Sequence, residues 1–152
     1  MKLHELLEAH QADILADAAQ ALARCRLPHY SHEGAEPARR RLDQLLALTI
    51  RCVRERDLAP MLAHSQAIAR ERFEAGFDLR ELQTAFNVLE EAMWRHVVAR
   101  IPKDELAEAI GLLTTVHGAG KDRLARTWVE LATHRQAPSL DVEMLFKGTA
   151  GQ

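Results

Sequence analysis

The sequence predicts an all-α protein, an antiparallel helical bundle, and three observations predict it. Ala, Leu, Glu and Arg, all strong helix formers, dominate a chain with few β-branched residues and only 5% aromatics. Apolar residues recur at three- and four-residue spacing along several long runs, while strict strand-like alternation is missing. Pro28, Gly34, Gly76, Pro102 and Pro138 fall between those runs, where helices end. The 152 residues and 47% apolar content fit one domain with its own core. At this size roughly 70% of the unfolded chain's surface can be buried.

About five helices follow in order. The first runs from about Lys2 to Arg26, with Leu3, Leu6, Leu7, His10, Ile14, Ala18, Ala21, Leu22 and Cys25 on one stripe. Pro28 ends it, because the residue before proline is pushed out of the helical region. His29 to Glu36 reads as a polar loop. Pro37 opens the second helix, where its missing N–H costs nothing, and Leu42, Leu45, Leu46, Thr49 and Val53 point inward as far as Arg56. Asp57 is positioned to cap the third helix, whose stripe is Leu58, Met61, Leu62, Ser65, Ile68 or Ala69, and Phe73. Gly76 is expected just past its end with positive φ. Asp78 then caps the fourth helix, with Glu81 at the capping-box spacing and Leu79, Leu82, Phe86, Leu89, Met93 and Val97 inward. Pro102 follows its end. The fifth helix spans Lys103 to Arg135, with Leu106, Ile110, Leu113, His117, Leu124, Trp128 and Leu131 on its stripe. Gly118 and Gly120 weaken it, and mark either a close helix crossing or a kink. Residues 1–137 form a helical, sensor-like domain, and 138–152 a C-terminal tail.

Composition excludes several function classes. Twenty basic and 22 acidic side chains leave a net charge of −2, too little to attract nucleic acid or an anionic membrane. No apolar run approaches the roughly 18 residues that span a bilayer. The charged start, Met-Lys-Leu-His-Glu, lacks the apolar run of a signal peptide, so a cytoplasmic location is expected. Cys25 and Cys52 then read as buried, reduced thiols.

Eight histidines raise a metal or haem question. His29 and His32, with Glu33 beside them, give two or three donors in a loop, whereas zinc takes three or four. A solvated loop is the expectation. His10, His96 and His117 fall near inward stripes and read as core histidines with a hydrogen-bond partner rather than haem ligands. His64 and His134 read as exposed. Gly118-Ala119-Gly120-Lys121 lacks the spacing of a phosphate loop and follows no strand. Arg39-Arg40-Arg41, in the first turn of the second helix, opposes the helix dipole and reads as a solvated face offset by Glu36 and Asp43 rather than as a contact for an anion or an acidic partner. No metal, no cofactor and no catalytic residues are expected, since no nucleophile, base and orienter can be named together.

The strongest pattern is the turn Gly76-Phe77-Asp78 and the long amphipathic helix after it. Trp94 stands one position off the inward stripe, and Val98 and Ile101 continue that flank as a candidate interaction surface. In the tail, Leu140, Met144 and Leu145 share a helical face beside Phe146, an apolar content that suits either a cap on the bundle or a docking segment.

The pattern Arg72-Phe73-Glu74-Ala75-Gly76-Phe77-Asp78-Leu79, followed by Leu82, Phe86 and Trp94, resembles the N-terminal domain of RsbR-type stressosome co-antagonists, the RsbRD N-terminal-like family. The resemblance runs from about Leu3 to Leu131. It implies a haem-free, globin-like sensor fold that often dimerises and precedes an output domain. Here only a short tail follows Pro138, so an output in trans, through a separate signalling protein, is the expectation. The family contributes no catalytic residues.

Two function classes follow. The first is a sensory or regulatory domain acting by protein–protein contact, with a homodimer as the first partner and no nucleic acid or membrane. The alternative is a helical protein that binds a small ligand or a cofactor such as haem or a metal.

Overall fold

The computed structural model describes residues 2–136, which form seven helices and no strand among them. They are α1 (Leu3–Ala9), α2 (Gln11–Arg24), α3 (Pro28–Glu33), α4 (Ala35–Glu55), α5 (Ala59–Glu74), α6 (Leu79–Arg100) and α7 (Lys103–Gln136). The all-α bundle is as expected, but the described residues hold seven helices rather than about five, for two local reasons.

The first predicted helix divides at His10, whose backbone (φ −111°, ψ 18°) leaves helical geometry. The His10 N–H still reaches the Leu6 carbonyl, and the Ile14 N–H reaches the His10 carbonyl. The helix is thus interrupted at His10, with a bond kept on either side of the break. The expected polar loop at His29–Glu36 is instead α3 and the start of α4. Pro28 is the first residue of α3, not merely the end of α2. The argument that places Pro37 in a first turn applies equally to Pro28. Gly34, at φ +95°, separates α3 from α4.

One core runs through the bundle. Leu6, Leu7, Ile14, Leu46, Met61, Phe86, Leu89, Met93, Leu113 and Leu124 are almost wholly buried. These are the inward positions of the apolar stripes, which is why propensity and packing agree. α6 runs antiparallel to α7, as Asn87 pairs with Lys121 and Glu90 with His117. α4 is antiparallel to α7 as well, through Thr49 with His117 and Arg56 with Glu108. α5 runs parallel to α7 across the most extensive helix contact in the molecule.

That contact explains Gly120. A Cβ there would lie 2.9 Å from Met61 Sδ and 3.0 Å from Phe86 Cε1. The neighbouring Gly118 faces open space. Of the two expectations for these glycines, the close crossing holds at Gly120.

Candidate functional site

The turn between α5 and α6 is built as the sequence predicts. α5 ends in a Schellman motif: the Phe77 N–H donates to the Arg72 carbonyl (3.0 Å) and the Gly76 N–H to the Phe73 carbonyl (3.2 Å). Gly76 has φ +86°, the left-handed region where a Cβ is costly. Asp78 caps α6 by accepting from the Arg80 N–H at 3.1 Å. Glu81 closes the box by accepting from the Asp78 N–H at 2.9 Å.

Glu81 does more than the spacing foretold. It is almost fully buried, and it also accepts from the His29 backbone N–H at 2.8 Å and from His29 Nδ1 at 2.7 Å. The His29 N–H is one of the orphan donors at the start of α3. A single carboxylate therefore caps two helices, and the His29 it reaches lies 52 positions away in the chain. Burial alone would raise the Glu81 pKa, but the donors from Asp78 and His29 outweigh it and hold the carboxyl below its ordinary range.

Phe77 is the centre of a second layer on the same turn. His29 stacks on its ring at 4.6 Å, and Tyr30 meets it edge-on at 5.5 Å. The Arg41 and Arg72 guanidiniums lie over it at 5.6 and 5.4 Å. Arg41 also forms a two-pronged pair with Glu33. Arg41 is thus drawn out of the expected solvated face and into the turn, while Arg39 and Arg40 stay exposed. His29 and Glu33, read from sequence as parts of a solvated loop, are spoken for by Glu81 and Arg41.

A second His–Glu pair lies inside the bundle. His117 is fully buried, with Nε2 2.9 Å from the Thr49 hydroxyl. That hydroxyl donates its one hydrogen to the Leu45 carbonyl at 2.8 Å, so Nε2–H donates to Thr49. His117 Nδ1 then faces Glu90 Oε2 at 3.3 Å, and Lys121 Nζ approaches the same oxygen at 3.4 Å. The first approach is not aligned as a hydrogen bond, and both atoms are left without a hydrogen-bond partner. Burial pushes the Glu90 pKa up, yet His117 and Lys121 bring it below the ordinary value.

The other histidines and the cysteines divide. His10 and His96 lie together, ring centroids 5.3 Å apart, and His96 Nε2 is 3.5 Å from Asp17. His117 belongs to the separate cluster above. His64, expected to be exposed, is half-buried beside Arg72, and both burial and that charge lower its pKa. Cys52 is buried as expected, but Cys25 is exposed, because α2 ends there and its side chain turns back to the Ala21 carbonyl. Among the described residues no group of three or more His, Cys, Asp or Glu could hold a metal ion, and no helix is long and apolar enough to cross a membrane.

The candidate interaction residues separate too. Trp94 and Val98, one turn apart on α6, are exposed at 37% and 55%. Ile101 is buried at 8%. It ends α6 in extended geometry (φ −82°, ψ 133°) ahead of Pro102, which turns its side chain off that flank. Leu140, Met144, Leu145 and Phe146 lie outside the described residues. Sequence reasoning missed the link between Glu81 and His29, and the cluster of Thr49, Glu90, His117 and Lys121. Only the inward position of His117 and the capping-box position of Glu81 signalled them.

A family model described as the RsbT co-antagonist protein rsbRD N-terminal domain matches residues 12–137. No curated protein and no solved structure matches the chain.

Proposed function

The chain belongs to the RsbRD N-terminal domain family, and from that premise we propose that it is a non-enzymatic, haem-free, globin-like regulatory domain that acts by protein–protein contact. The family match across most of the chain is the observation that carries this reading, and it supports a regulatory role in stressosome-type signalling. The domain works in the cytoplasm as a homodimer and passes its signal to a signalling protein in trans. The exposed pair Trp94 and Val98 on α6 supplies the apolar centre of the dimer face, and aromatic side chains are favoured at such centres. In the tail, Leu140, Met144, Leu145 and Phe146 serve either as a cap on the bundle or as the segment that docks on the partner.

Light scattering of the 152-residue protein over a concentration series tests the dimer. A dimer that becomes monomeric in Trp94→Arg and in Val98→Glu, with helicity retained, is the expected result. A monomer at every concentration removes the homodimer. Removal of the segment after Ala137 separates the two tail roles: a cap lowers the melting temperature when lost, whereas a docking segment leaves it unchanged and abolishes partner binding. An absorbance spectrum with metal analysis of the purified protein addresses the alternative, a cofactor-binding helical protein. A Soret band or a stoichiometric metal favours that alternative.

A further inference from the structure

Beneath the α5–α6 turn, a cavity of ≈ 40 Å³ lies among α3, α4, α5 and α6. Its apolar wall includes Ile68 and Phe86, and its polar wall includes Arg41, Arg72, Tyr30 and His64. No Asp or Glu lines it.

The two arginines of the polar wall can only donate, whereas Tyr30, His64 and Gln44 can each donate or accept. Arg72 is buried although it carries a full charge, and a buried charge is costly without a partner. Its ion pair is with Glu71, the adjacent residue, whose side chain is 66% exposed, and an ion pair so exposed contributes little. That bond engages Nη1, one part of a fork with five N–H donors. Arg41 is held by Glu33, which also lies outside the cavity lining. Burial raises the Tyr30 pKa and lowers that of His64, so at neutral pH Tyr30 keeps its O–H and His64 carries no charge. The cavity thus joins a positive, donor-rich wall to an apolar one. Most ligand sites share this composition, with a few placed polar groups on an apolar surface.

We propose that this cavity binds a small organic anion, a carboxylate on a short aliphatic tail, with its head against Arg72 and Arg41 and its tail along Ile68 and Phe86. A planar carboxylate matches the guanidinium fork in two-point fashion, as a cation or neutral polar group does not. The volume sets the tail length. A water needs roughly 10–15 Å³ of such space and fills about 30 Å³, so the cavity holds about three waters' worth of ligand, which suits an acid of about two to three carbons. Arg41 and Arg72 are also the two cations on Phe77, so an occupied cavity bears directly on the turn that links α5 to α6. The site stands independently of the dimer reading.

The test is a titration of the isotope-labelled 152-residue protein with sodium propionate, followed through backbone amide resonances. n-Propanol and n-propylammonium are run in parallel, with sodium chloride matching the ionic strength. Saturable shifts with propionate, and affinity at least about tenfold weaker for propanol and propylammonium, are expected. Arg72→Gln should weaken propionate binding by about tenfold or more. Arg41→Gln, at a half-buried position, provides the second variant should Arg72→Gln fail to fold. Shifts that match those of sodium chloride overturn the proposal. So does equal affinity for propanol, which would make the cavity merely apolar. Unchanged propionate affinity in both arginine variants overturns it as well.

Discussion

His29–Glu81 and His117–Glu90 are the same two residue types at similar distances, yet they are satisfied in opposite ways. Glu81 sits at a helix start, where backbone donors are unpaired by necessity, and it collects three N–H groups. Glu90 sits mid-helix in α6, where every local N–H is already used, so only side chains can reach it. His117 does so out of line, and Lys121 from a partly exposed position. A buried carboxylate gains most where the backbone supplies donors, and less where it must rely on an out-of-line imidazole and a partly exposed ammonium.

The sharpest way to break this comparison is to remove each carboxylate. Glu81→Ala leaves Asp78 N–H, His29 N–H and His29 Nδ1 without their acceptor and should cost about 2–4 kcal/mol in urea denaturation. The effect has a sign in pH. The Glu81 pKa is lowered on folding, so its stabilisation is complete above the ordinary carboxylate pKa of about 4.3 and is lost as pH falls below that through the folded value. The gap between wild type and Glu81→Ala should therefore narrow between neutral pH and about pH 3. A pH-independent gap would mean that Glu81 acts by packing and not by charge.

Next in size is a contrast within α7. Gly120→Ala forces Met61 and Phe86 apart and should destabilise by about 1–2 kcal/mol, after the helix-propensity gain is deducted. Gly118→Ala meets nothing and should stabilise by about 0.5–1 kcal/mol. Melting curves of the two variants that shift in the same direction would show the α5–α7 crossing to be looser than described.

Gly76→Ala should cost about 1 kcal/mol or more, because a side chain is strained at φ +86°. Equal stability would show that the turn relaxes without a left-handed residue. The smallest effect belongs to Glu90→Gln, expected within about 1 kcal/mol of wild type, since Oε2 makes no aligned hydrogen bond and the amide can donate to His117 Nδ1. A loss as large as that of Glu81→Ala would erase the distinction between the two pairs.

The candidate site was legible where its determinants were local. Gly76, Asp78 and Glu81 carry their roles in their spacing, because a Schellman end and a capping box involve only neighbours within a turn of chain. Ile101 was misplaced on the Trp94 flank because counting along a helix assumes that the helix continues, whereas Pro102 stops it one residue early. His64 and Cys25 changed places between surface and interior for a similar reason. A single histidine or cysteine carries no periodicity of its own, and its exposure depends on which helix crosses over it.

By itself the sequence determined the all-α class, the apolar stripes of α4 to α7 and the turn at Gly76, since helix propensity, hydrophobic period and capping are settled within a few residues. It also carried enough of the Arg72–Leu79 pattern and its following helix to reveal the family. Only the tertiary structure decided that Glu81 caps α3 as well as α6, that Gly120 rather than Gly118 is the crossing point, and that Arg41 and Arg72 meet over Phe77 at the edge of one cavity. Those contacts join residues tens of positions apart. Their geometry is set by how the helices pack on one another, which no local spacing encodes.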